Sequence, residues 1–158
     1  MKRVLLLVAC VVALVARAQY YQPDVLGNGF EQHTFVMPDD YHGRVVSTLV
    51  RKMANDSSHS AVLYVHGYND YFFQEEMAQR FNEWGFNFYA VDLRKYGRSL
   101  LPEQREYEVR DMSEYYADID SALSVIRREG NDRVVLMGHS TGGLTTTLYC
   151  HAHRDNLP

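Results

Sequence analysis

The residues with the clearest chemical content are Gly138-His139-Ser140-Thr141-Gly142, followed by Gly143. They form a G-x-S-x-G sequence between an apolar run (133–137) and a helix-forming stretch. A serine in that place projects its hydroxyl from a sharp strand-to-helix turn, where it can attack an acyl carbon. Glycines two residues before and after it remove side chains that would collide in so tight a bend. The following helix offers free N–H groups and its positive dipole end to developing negative charge. Thr141 N–H is the expected first donor to an oxyanion, and such a donor is worth about 3–4 kcal/mol in the transition state. A bare G-x-S-x-G also arises by chance in Gly-rich turns, so the flanking strand and helix carry the weight.

His66-Gly67-Tyr68 follows another apolar run, 61–65. The loop after such a strand supplies the second oxyanion donor in this architecture, and Tyr68 N–H is the candidate. Gly67 allows close backbone approach. His66 is read as a brace for the loop, not as the base. The segment Asp92 to Ser99 lies where strand C-termini open toward ligands. Its Arg94, Lys95 and Arg98 suit a solvated or salt-bridged loop better than a site for an anionic head group, so the segment is read as framework.

These loops need elements to hold them. Glu31–Met37 and Arg44–Arg51 read as an antiparallel hairpin across the turn cluster Pro38 to Gly43. Residues 61–65, 87–91 and 133–137 are short apolar runs, the pattern of strands buried on both faces. Phe73, Met77, Phe81 and Trp84 mark one helical stripe, with Glu75 and Glu76 in the first turn and Gly85 at the end. Met112, Tyr115, Tyr116, Ile119, Leu123 and Ile126 mark a second helix, stopped at Gly130-Asn131. A third runs from about Thr141 to His153. Alternating strand and helix predicts an α/β fold, a mostly parallel sheet with helices on both faces.

The 158 residues carry a net charge of −4, which does not fit a nucleic-acid footprint. Lys2 and Arg3, the apolar run Val4–Val15 and Ala16-Arg17-Ala18 read as a signal peptide cleaved after Ala18. An uncleaved anchor, or a lipoprotein acylated at Cys10, is the alternative. The expected location is therefore periplasmic or secreted. Residues 19–30 read as an aperiodic lead-in, and residues 31–158 as part of one domain. Cys150 would be the only thiol of the mature chain, a buried small hydrophobe. Asn55-Asp56-Ser57 matches a glycosylation acceptor and is given no weight.

Three stretches in order resemble the α/β-hydrolase superfamily: Val62 to Gln74, Tyr89 to Ser99, and Val134 to Gly143. The branch is that of monoacylglycerol-lipase-like and lysophospholipase-like serine hydrolases, often grouped with the serine aminopeptidases. The resemblance implies acyl-ester hydrolysis through Ser140, a lipid or small-molecule ester as substrate, and no metal or organic cofactor. Membrane-surface association and oligomeric state stay open. One departure is plain: the family's Asp-x-Arg-Gly-x-Gly-x-Ser motif has Gly where this chain has Lys95. Another lies beyond the elbow. The family order is nucleophile, acid, histidine, and few residues come after Ser140. His151 and His153 lie on the helix leading away and are carried roughly 15 Å or more from Ser140. The expectation is a fold truncated after the elbow helix, with acid and base beyond Pro158 and a 158-residue chain that is inactive alone. Peptide hydrolysis is the enzymatic alternative, and a non-catalytic remnant or binding protein is the other.

Overall fold

The computed structural model describes residues 21–54 and 57–155. The leader expected over 1–18, with Cys10, lies outside the described residues, as do Asn55 and Asp56. No helix of the described residues is long and apolar enough to cross a membrane.

Among the described residues six strands form one sheet: β1 (Gln22–Pro23), β2 (Glu31–Asp40), β3 (Gly43–Lys52), β4 (Ser60–Val65), β5 (Asn87–Asp92) and β6 (Arg133–Gly138). The α-helices of the described residues are α1 (Glu75–Glu83), between β4 and β5, α2 (Tyr116–Arg128), between β5 and β6, and α3 (Thr141–Ala152), after β6. The strands lie in the order β1-β2-β3-β5-β4-β6. β2 and β3 form the expected hairpin. Pro38-Asp39-Asp40, expected in the turn, instead extend β2 beyond a register irregularity between Met37 and Asp40. The pairs β1–β2, β2–β3 and β3–β5 are antiparallel, whereas β4 pairs parallel with both β5 and β6. The sheet is therefore mixed, its antiparallel half coming from the hairpin and its parallel half from the alternation of strand and helix.

β4 and β5 are covered on both faces, as their unbroken apolar runs require. On one face Leu63, Val65, Tyr89 and Val91 pack with Ile119, Leu123 and Ile126 of α2 and Tyr149 of α3. On the other, Val62, Tyr64, Phe88 and Ala90 pack with Phe72 and with Met77, Ala78 and Phe81 of α1. β6 is less covered than β4 and β5: Val135 is 50% exposed. Among the described residues β6 pairs with β4 alone.

Two further expectations need correcting. α1 begins at Glu75, so Phe73 precedes the helix and helical spacing does not govern it. Phe73 and Trp84 are exposed, and Phe72 takes the core position instead. The stretch Tyr21 to Phe30 is irregular, as its composition implies, but it is docked. β1 pairs with β2, Phe30 is buried, and the Asp24 carboxylate lies against Arg98.

Candidate active site

Ser140 stands where β6 ends and α3 begins, with φ 53° and ψ −119°. A non-glycine residue with positive φ is strained, and such strain persists only where the surroundings fix it. Here the bend is tied on both sides. His139 N–H donates to Val65 O (3.0 Å), Gly142 N–H to His139 O (2.8 Å) and Gly143 N–H to Ser140 O (2.9 Å). Ser140 itself is exposed.

The glycines of the motif are explained by what a methyl group would meet. A Cβ at Gly138 would lie 2.6 Å from the Gly143 nitrogen and closer still to the Gly142 carbonyl. A Cβ at Gly142 would run into the carbonyl oxygens of Val65 and His66 at the end of β4. The start of α3 can therefore sit against the end of β4 only if both positions lack side chains. A Cβ at Gly67 would stand 3.2 Å from the Ser140 Cβ and 3.2 Å from His139 O. The loop after β4 and the elbow thus touch backbone to backbone, although some seventy residues separate them in sequence. Gly143 is less constrained: its added Cβ would find the Gly138 carbonyl oxygen at 3.5 Å, an ordinary contact.

Tyr68 N–H and Thr141 N–H donate no hydrogen bond among the described residues. Two unspent backbone donors on the segments that flank an exposed, strained serine can receive an oxygen that becomes negative. Tyr68 has its side chain 65% exposed, and Tyr71 and Phe73 on the same loop are exposed too. The loop after β4 thus exposes three aromatic rings.

His66 is a brace in a defined state. It is 1% exposed. Its Nε2 accepts the Leu93 N–H (3.1 Å), which can only donate. Nδ1 must then carry the proton, and it donates to Gly67 O at 2.8 Å. Burial pushes the imidazole below its ordinary range despite the Gly67 carbonyl and nearby carboxylates. A second proton would set Nε2–H against the Leu93 N–H, so His66 stays neutral and takes no part as a base. His139, the other elbow histidine, is exposed and lies 3.9 Å from an Asp70 carboxylate oxygen.

The basic segment after β5 is neither solvated nor open to an anionic ligand. Arg94 pairs with buried Asp118 (2.8 Å). Lys95, whose side chain is fully buried, pairs with Asp40 (2.5 Å). Arg98 bonds Asp24 (2.6 and 2.8 Å), Asp92 (2.9 Å) and Phe72 O (2.9 Å). Asp92 also accepts the Phe72 N–H (2.9 Å), tying the segment to the loop after β4. The acidic partners come from 24, 40, 92 and 118, and no local pattern joins them to the basic residues.

Among the described residues no histidine or carboxylate hydrogen-bonds the Ser140 hydroxyl. His151 is exposed, while His153 is half-buried, its ring stacked 4.2 Å from that of Tyr149. Cys150 is half-buried against the core, not fully enclosed. Sequence reasoning missed Asn69 and Tyr107, which flank the site and bond each other (2.7 Å). Tyr107 sits in an aperiodic stretch, where nothing in the pattern marks it.

Comparison with known proteins agrees with this architecture. The family described as "Serine aminopeptidase, S33" matches residues 56–157, well over half the chain. A probable hydrolytic enzyme of Pseudomonas aeruginosa PAO1 superposes with a TM-score of 0.59 at 21% identity, over 80% of this chain and 38% of that one. A thermostable carboxyl esterase of Bacillus coagulans, solved with glycerol, gives 0.63 at 17%, over 82% and 42%. An epoxide hydrolase from an endophytic Streptomyces gives 0.57 at 23%, over 81% and 35%. The chain spans less than half the length of these structures, and at such identities the likeness is one of fold. Strand order, elbow and family match agree: this chain belongs to the serine aminopeptidase S33 family and carries the corresponding part of an α/β-hydrolase fold.

Proposed function

We propose that the protein is a serine hydrolase that cleaves carboxylic esters with lipid-like acyl groups, outside the cytoplasm. Ser140 attacks the acyl carbon, and the N–H groups of Tyr68 and Thr141 receive the oxyanion. The observation that carries this reading is the exposed Ser140 at φ 53°, flanked by two undonated backbone N–H groups. The base that takes the Ser140 proton comes, on this reading, from outside the described residues. An apolar acyl group is supported by the exposed aromatic rings of Tyr68, Tyr71 and Phe73. Export rests on the charged-then-apolar N-terminus from Lys2 to Ala18.

The test is chemical. Protein made from the full reading frame is treated with a fluorophosphonate and offered p-nitrophenyl esters and aminoacyl p-nitroanilides. The expected result is one adduct, on Ser140, and ester cleavage well above anilide cleavage, both abolished by Ser140→Ala. An adduct elsewhere, or turnover that survives the substitution, defeats the proposal. Faster anilide cleavage would move the protein to the peptidase reading.

A further inference from the structure

Among the described residues five non-glycine residues have positive φ: Asn28, Asn69, Lys95, Tyr107 and Ser140. Three of them form one connected chain that ends beside the fourth, Ser140. Lys95 is anchored in the interior by its ion pair with Asp40. The Lys95 carbonyl accepts the Tyr107 N–H (3.2 Å). The Tyr107 hydroxyl donates to Asn69 Oδ1 (2.7 Å). Asn69 directly follows Tyr68 in the loop that touches the elbow. The Tyr107 ring also lies edge-on to Tyr68 (5.2 Å between centroids) and tilted against Tyr96 (4.8 Å). Tyr96 in turn packs on the His66 ring (4.7 Å).

Non-glycine residues with positive φ are held there by surroundings that over-determine their backbone. Here the surroundings of each strained residue include the next one. The hydroxyl-to-amide bond of Tyr107 is solvent-exposed, so it adds little to the stability of the fold. What it does is join two loops, 38 residues apart, at the place where a donor must be held.

We propose that Tyr107 is a positioning residue: through Asn69 it fixes the Tyr68 N–H at the distance from Ser140 that an oxyanion requires. This rests on the nucleophile reading above. The link from Lys95 to Tyr107 runs through main-chain atoms alone, so the side chains that the latch needs are those of Tyr107 and Asn69. A donor that is held stabilises the transition state more than the bound ester, so its loss appears in kcat.

The experiment compares Tyr107→Phe, which removes the hydroxyl and keeps the ring, with Asn69→Gly, which removes the acceptor and keeps the backbone shape. Both variants, the double variant and Ser140→Ala are made in the full reading frame and assayed on p-nitrophenyl butyrate, with thermal melting alongside. A small misplacement of a catalytic group costs about tenfold to a hundredfold, and that loss is expected in kcat for each single variant. KM should stay within about twofold. The double variant should be no worse than the poorer single one, because both break the same link. Melting should hardly move. Unchanged kcat in Tyr107→Phe, a loss confined to KM, or single losses that multiply in the double variant would each overturn the latch. Ser140→Ala separates the two failures. Turnover that survives it removes the nucleophile reading, whereas turnover lost with it but untouched by Tyr107→Phe removes only the latch.

Discussion

Lys95 occupies a backbone conformation made for glycine, yet its ammonium is the buried partner of Asp40, and the two effects can be separated by substitution. Lys95 has φ 65°, and a left-handed conformation costs a non-glycine residue about 1–2 kcal/mol. Opposing this, its Nζ stands 2.5 Å from Asp40, whose side chain is only 7% exposed. Removing one partner of such a pair costs about 3–5 kcal/mol, because the other charge stays behind unpaired. Lys95→Gly should therefore destabilise the protein by about 2–5 kcal/mol: the lost pair, less the relieved strain, plus the larger unfolded-state freedom of glycine. Lys95→Ala loses the same charge and stem but keeps the strain. That common loss cancels between the two variants. The larger unfolded-state freedom of glycine takes back about 0.5–1 kcal/mol, which leaves the Gly variant ahead of the Ala variant by up to about 1 kcal/mol. The assay is equilibrium urea denaturation followed by far-UV circular dichroism. Trp84, the one tryptophan, is 67% exposed and would report unfolding weakly. A wild type less stable than Lys95→Gly would show that strain outweighs the pair. An Ala variant more stable than the Gly variant would refute the backbone argument altogether. The pH dependence has a definite sign. Burial opposes ionisation of Asp40, but the Lys95 ammonium and the His42 N–H outweigh it and hold the carboxyl below its ordinary 3.8. A depressed carboxyl contributes stability that is full above its unfolded value and is lost as pH falls through the folded one. The gap between wild type and Lys95→Gly should accordingly close in acid, below about pH 4.

Gly142→Ala should abolish fluorophosphonate labelling and lower stability by about 3 kcal/mol or more, since its methyl group meets main chain that cannot move aside. Circular dichroism melts with labelling will show it, and a variant as stable and reactive as wild type would contradict the close approach. The His66 ring should appear in nitrogen-15 NMR as the Nδ1–H tautomer and remain neutral through the pH range where free histidines titrate. Because its folded value is depressed, it contributes to a loss of stability as pH falls below its ordinary 6.5, where only the unfolded chain takes the proton. Titration of this ring near 6.5 in the folded protein would remove its role as a neutral brace.

What the sequence made legible is what short-range rules govern. The elbow could be read because its chemistry demands a strand, two glycines and a helix in immediate succession, and 133–152 supply them. β4 and β5 could be read because burial on two faces leaves no polar alternation. The stripe of α1 misled because helical spacing was carried one step beyond the helix, onto Phe73 before it and Trp84 at its cap. The pairings of Arg94, Lys95 and Arg98 could not be read, since each joins residues 6 to 74 positions apart through the tertiary fold alone. Tyr107 and Asn69 were invisible for the same reason. Their hydroxyl-to-amide bond exists only once two loops have been brought to one end of the sheet.

The docked segment ahead of β2 decides how far the protein can be trimmed for laboratory use. The Arg51 guanidinium lies 3.4 Å from the Tyr21 ring centroid, Asp24 holds two nitrogens of Arg98, and Phe30 fills a core position beside Phe72. A version begun at residue 31, as composition alone would recommend, would leave Arg98 half-paired and open a void the size of a phenyl ring. An affinity tag belongs upstream of Tyr21, with the stretch from there to Phe30 left as nature wrote it.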